Sequence, residues 1–222
     1  MKFKIMVLIT LLFTSLSLAS ANYPNFHKIK HQKHHVASKH LKQIYNRVLQ
    51  NSNVNQKALK RAFTYYERNR YKKGLSSEYL AIADYTKRAM DKRLYIINLR
   101  TGKVNRHLVA HGKQSGPKGG RVVRSSNMVN SHMTPYGFFK VGIKEKVTSK
   151  KRYRYLSVQG LDWSNKRVGQ STRQGGRDIV LHTANYVNRG GRSYGCFAIK
   201  PQDKRVVFKQ LKTALLYSYT ER

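Results

Sequence analysis

The chain has 222 residues, with 45 Lys and Arg against nine Asp and Glu and a formal charge of +36. A hydrophobic content of 40% supports a core and excludes full disorder, the length excludes several large domains, and a single Cys excludes an internal disulfide and any multi-cysteine metal site. So strong a charge must draw polyanions: nucleic acid, anionic lipid or acidic envelope polymers.

Residues 1–21 read as a signal peptide. Lys2 and Lys4 precede the apolar run Ile5 to Leu18, and Ala19-Ser20-Ala21 fits a cleavage site. The competing reading is an uncleaved anchor helix, which Thr10, Thr14, Ser15 and Ser17 weaken. Cleavage leaves +34 on the mature chain, no stable membrane anchor and an exported protein of the periplasm or cell envelope. Export in turn makes chromosomal DNA a poor partner, and no nucleic-acid motif is present. Residues 22–37 read as a basic, His-rich disordered arm. His27, His31, His34, His35 and His40 could chelate a metal, but a soluble cationic tail is the simpler reading, because no carboxylate or Cys joins them.

A helical extension follows over 38–76. Ser38 can cap a helix through about Gln50, with Leu41, Ile44, Tyr45 and Val48 on one side. A second helix is predicted from about Asn55 to Lys72, with Gly74 as its stop. The period then changes to two. Strands are predicted at Leu80–Thr86, Arg93–Leu99 and Lys103–His111, with Thr101-Gly102 as a hairpin turn. Residues 112–135 read as a long loop, and such a loop is usually functional or mobile. Strand-like runs resume at Phe138–Ile143, Tyr155–Val158, Asp178–Leu181 and Cys196–Ile199. A closing helix is predicted from about Gln202 to Tyr219. Residues 77–222 thus form a mainly β domain with a C-terminal helix.

Cys196 and His182 carry the candidate chemistry. Gly195 removes a side chain beside the sulfur, so a backbone or a substrate can approach. The turn Arg189-Gly190-Gly191-Arg192 could aim N–H groups at an anion. His182 ends the apolar run Ile179-Val180-Leu181, so His and Cys can lie at neighbouring strand ends. An imidazole there can take the thiol proton and later protonate a leaving amine. Each residue also has a structural reading: a buried thiol and a core histidine. His111 and His132 flank the long loop and are expected to be solvated. Asp162-Trp163 could stack on sugar, although a core role is commoner. Asp178 is left without a role.

The run Val180-Leu181-His182-Thr183-Ala184-Asn185-Tyr186-Val187, followed by Gly191-Arg192-Ser193-Tyr194-Gly195-Cys196, resembles the L,D-transpeptidase catalytic domain family. Thr134-Pro135-Tyr136-Gly137-Phe138-Phe139 is similar to the family's Thr-Pro-x-Gly-x-Phe turn. The resemblance points to the divergent murein branch, in which an aromatic replaces the His before Gly-Cys. It implies an L,D-transpeptidase-like β-rich fold and peptidoglycan stem peptides as substrate. It further implies Cys196 as nucleophile, His182 as base, the backbone N–H groups of Tyr194, Gly195 and Cys196 as oxyanion-hole candidates, and Ser193 as support for the loop. Thr134, Tyr136, Asn185 and Arg192 are implied to contact substrate. No metal or cofactor is implied, and anionic envelope polymers remain partners through charge. Tyr194 is expected to pack as an aromatic. The alternative is a noncatalytic cationic envelope-binding protein of the same fold.

Overall fold

The computed structural model describes residues 38–148 and 153–221. The signal-peptide segment and the basic arm lie outside the described residues.

Helix α1 (Lys39–Asn51) starts at Ser38, whose hydroxyl accepts the Leu41 N–H at 3.4 Å. Helix α2 (Gln56–Asn69) starts at Asn55, whose side chain accepts the N–H groups of Lys57 and Ala58. Each cap satisfies donors that the first turn leaves without an intrahelical partner. The apolar stripes bury Leu41, Ile44 and Val48 from α1, and Ala58, Leu59, Ala62, Phe63 and Tyr66 from α2.

Eight strands form one mixed sheet: β1 (Tyr79–Asp84), β2 (Leu94–Asn98), β3 (Val104–His107), β4 (Gly137–Val147), β5 (Arg154–Gly160), β6 (Val180–Thr183), β7 (Phe197–Ile199) and β8 (Leu215–Tyr219). Their spatial order is β3-β2-β1-β8-β4-β5-β6-β7. The central strands are buried on both faces. Leu80, Ile82, Tyr95, Ile97, Leu215 and Tyr217 face α1 and α2. Ala81, Ala83, Leu94, Ile96 and Leu216 face the other core, which α3 (Lys204–Leu211) closes with Val207, Phe208 and Leu211. Beyond β3 the chain reaches the opposite edge of the sheet, where Ala110 N–H donates to the Ala198 carbonyl at 2.9 Å. The sheet is thereby nearly closed into a barrel, and the domain is mainly β as expected.

Several element ends shift by a few residues, and the C-terminal segment differs most from the sequence expectation. The closing helix ends at Leu211, well before Tyr219. Thr213 turns the chain with φ +58°, and Leu215–Tyr219 becomes a central strand, parallel to β1 and antiparallel to β4. A strand buried on both faces shows no alternation, so Leu211, Leu215 and Leu216 mimic a helical stripe. The hairpin between β2 and β3 turns at Gly102, where φ is +75°. The segment between β3 and β4 is loop throughout.

Candidate active site

Strands β6 and β7 run parallel, with His182 opposite Ala198. Cys196 precedes β7 by one residue. Two residues along one strand and one step across place the Cα atoms of His182 and Cys196 about 8 Å apart. His182 is buried, and its Nδ1 lies 3.0 Å from the Thr183 carbonyl. A carbonyl only accepts, so Nδ1 carries the proton and Nε2 is the basic nitrogen. The Tyr153 ring sits 4.8 Å from the His182 ring, centre to centre.

Cys196 is half-buried and is a free thiol. Burial pushes its pKa up, and so does the Asp178 carboxylate; the Val180 N–H and the Arg177 guanidinium pull it down. The thiol Sγ lies 3.9 Å from the Asp178 carbonyl. The Tyr153 and Tyr186 hydroxyls feel the same sulfur: their pKa values are raised by burial first and by the charge of a Cys196 thiolate second.

Ser193 is the splice of this loop. Its hydroxyl donates to the Cys196 carbonyl at 2.7 Å and accepts the Gly195 N–H at 3.0 Å. Its backbone N–H donates to the His111 carbonyl at 2.9 Å, and its carbonyl accepts the Lys113 N–H at 2.6 Å. Arg192 reinforces the same junction, with Nη1 3.3 Å and 3.2 Å from the carbonyls of Lys113 and Gly116. Gly195 has φ +113°, and a side chain there would strike the Arg177 guanidinium and the Met133 carbonyl. Close backbone approach at Gly195, expected from sequence, is therefore real, and the approaching groups belong to the protein.

Other expectations need correction. The N–H groups of Gly190 and Gly191 donate to Val187 and Tyr186 carbonyls, so this turn aims them inward rather than at an anion. Tyr194 packs as an aromatic, but at the surface. It is 63% exposed and meets the His132 ring edge-on at 4.8 Å. His111 is buried rather than solvated, with Nδ1 3.0 Å from Arg93. Burial and the Arg93 charge lower the His111 pKa to about 4. Arg93 is itself buried and bonds the Val109 and Lys87 carbonyls. Asp162 and Trp163 divide: Trp163 is 83% exposed, while Asp162 is held in the fold by the Phe138 N–H.

The remaining residues implied for substrate lie apart. Thr134 is fully buried. Its hydroxyl accepts the Gly112 N–H at 2.9 Å and its N–H donates to Ser115 Oγ at 2.7 Å, so it anchors the long loop. Tyr136 is half-buried, with its backbone held by the Asn127 side chain. Asn185 is exposed at the start of the 3-10 helix Asn185–Arg189.

Sequence reasoning missed Arg177. Its guanidinium is buried and donates to the carbonyls of Ser126 and Met133, tying the long loop to Gly195. Desolvation lowers its pKa to about 10, which still leaves it charged near neutrality. Among 45 basic residues nothing in composition marks this one. The only hint is its place directly before the run Asp178 to Leu181.

A mixed sheet of this order, with His182 on β6 and Cys196 one residue before the adjoining β7, defines a β-rich thiol-bearing domain. The L,D-transpeptidase catalytic domain family model matches residues 50–219, and the chain belongs to that family. The family acts on peptidoglycan. Among solved structures, the chain is similar to the helical cell shape determining protein Pgp2 from Campylobacter jejuni. Identity is 15%, the match covers 65% of this chain and 48% of that one, and the TM-score is 0.42. The chain thus spans about half the length of Pgp2. It is also similar to an L,D-transpeptidase (residues 123–326) from Xylanimonas cellulosilytica, at 12% identity, over 82% of this chain and 94% of that one, with TM-score 0.37. No curated protein matches. No helix among the described residues is long and apolar enough to cross a membrane.

Proposed function

We propose that the protein is an exported cysteine acyltransferase of peptidoglycan stem peptides. Residues 1–21 act as its signal peptide and 22–37 as a basic arm; the helices of 38–76 serve as an extension to a catalytic domain over 77–222. The observation that carries this reading is the register of β6 and β7, which sets His182 beside the loop bearing Cys196.

The thiol rests protonated, because burial raises its pKa. His182 acts as the general base during attack. Nε2 takes the thiol proton as Sγ bonds to the diaminopimelate carbonyl carbon. The carbonyl electrons move to oxygen. Gly195 N–H is engaged by Ser193, so the N–H groups of Tyr194 and Cys196 are the donors assigned to this oxyanion. Collapse breaks the C–N bond, and the imidazolium returns its proton to the departing D-alanine amine. The thioester then passes to an amine of a second stem, giving a cross-link, or to water, giving carboxypeptidase action. Thr183 orients His182, Ser193 fixes the loop, and Arg177 favours the thiolate as it develops. Asn185, Arg192 and Tyr136 are assigned to substrate contact; Thr134 acts by holding the loop.

The test is intact-mass spectrometry after mixing the protein with a tetrapeptide stem. A thioester adduct with release of D-alanine is expected, and it should vanish in Cys196→Ala. His182→Gln should slow acylation by about 100-fold or more. Absence of any adduct, with no cross-linked or trimmed product, would overturn the enzyme reading. The protonated resting thiol favours one alternative, a noncatalytic cationic envelope-binding protein, which the same result would support.

A further inference from the structure

Helix α2 carries a second feature that the chemistry at Cys196 does not use. A cleft of about 700 Å³ lies between α2 and the adjoining ends of β4 and β8. Lys57, Lys60, Arg61 and Arg68 line it. Their spacing of three, four and seven puts them on one face of the helix, spread over about 16 Å from Lys57 to Arg68. Like charges at these spacings repel each other. The helix's one acid, Glu67, accepts the Ser38 N–H at 2.6 Å instead. None of the ion pairs among the described residues involves Lys57, Lys60 or Arg68. Arg61 bonds the Tyr217 hydroxyl.

The floor is of opposite character. Tyr65, Phe138 and Tyr217 form a continuous stack, with ring centres 3.9 Å and 4.3 Å apart. The nearby carboxylate, Asp162, is engaged by the Tyr65 hydroxyl and the Phe138 N–H. Tyr136 also lines the cleft, and on its other side lines a groove of about 650 Å³ that holds the exposed Trp163. That groove is bounded by residues 126–129 of the loop that Arg177 ties to Gly195. The two cavities therefore flank one tyrosine.

The geometry points to this cleft as a binding site for an acidic polysaccharide, with sugar rings on the aromatic floor and carboxylates on the α2 rim. A bare polyanion would satisfy the rim but leave the floor without a partner. A neutral glycan would satisfy the floor and leave the clustered cations repelling one another. The site goes beyond the acyl-transfer reading and is tested without it, on protein carrying Cys196→Ala.

Three probes separate the sources of binding: a hyaluronan hexasaccharide (sugar with carboxylates), chitohexaose (sugar alone) and a short polyphosphate (charge alone). Fluorescence anisotropy with the full chain should show the hexasaccharide binding about tenfold or more tighter than chitohexaose. Thr64→Trp fills the cleft without changing charge and should weaken hexasaccharide binding by about tenfold. Lys57→Glu/Lys60→Glu/Arg68→Glu should do the same. The equal-charge control Lys39→Glu/Lys42→Glu/Arg173→Glu, away from the cleft, should weaken it far less. Equal loss in both triple variants would mean bulk attraction and overturn the site. So would a Thr64→Trp protein that is folded and binds as the parent does. Tighter binding of polyphosphate with the same Thr64→Trp sensitivity would overturn the sugar assignment. Should Thr64→Trp lower the melting temperature, the two triple variants alone decide.

Discussion

Arg177 packs its guanidinium against Gly195, the residue immediately before the thiol. Two loops distant in sequence are locked there: 126–133 through its carbonyls and 193–196 through the missing side chain. Gly195→Ala would put a methyl group onto Arg177 and strain a backbone whose φ is +113°. Stability should fall by about 1–3 kcal/mol, read from urea unfolding. A Gly195→Ala protein as stable as its parent would contradict this packing.

The thiol offers a pH prediction. Burial raises the Cys196 pKa above its ordinary value of 9.0, so the protonated form is the one that folding favours. This stabilisation is present below the ordinary thiol pKa and is lost as pH rises through the folded value. Iodoacetamide labelling should therefore accelerate with pH to a midpoint above 9.0. Arg177→Met removes the cation that favours the thiolate, so its midpoint should move higher still. An unchanged midpoint would mean that Arg177 acts on the loop alone.

Ser193→Ala removes a donor to the Cys196 carbonyl and an acceptor for the Gly195 N–H in one step. The buried partners are left unsatisfied, which costs about 1–3 kcal/mol. Acylation by the tetrapeptide stem should slow by about tenfold or more. Ser193→Thr, which keeps the hydroxyl, should recover part of that loss. If Ser193→Ala acylates at the parent rate, the hydroxyl has no positioning role.

His111 predicts acid sensitivity. Its pKa falls from 6.5 to about 4 on folding, because the neutral ring is buried beside Arg93. The neutral ring's contribution is complete above pH 6.5 and is lost as pH falls toward about 4. Chemical denaturation across that window should show stability dropping, with a shallower slope in His111→Gln. Equal slopes would place the acid sensitivity elsewhere.

Much of this was legible in the residues themselves. Ser38 and Asn55 announced both helices because capping is local chemistry. Arg93–Leu99 and Lys103–His111 announced a hairpin because Thr101-Gly102 sits between them as a turn. Cys196 and His182 stood out through their neighbours. What escaped depends on long-range packing. Arg93, Arg177 and His111 are buried polar groups, and their partners are carbonyls and rings far along the chain. Tyr194 was expected to pack, and its partner there, His132, lies far along the chain. Leu215–Tyr219 read as helix because burial on both faces erases the strand period.

That last strand joins the two halves of the sheet. Along the sheet, β3-β2-β1 and β4-β5-β6-β7 are joined through β8, and β8 is the last of the eight to be synthesised. Neither half can hydrogen-bond its inner edge until residues 215–219 arrive. Non-local pairing of this kind folds slowly. The inner edges at β1 and β4 therefore stay without a partner strand in any chain that lacks residues 215–219.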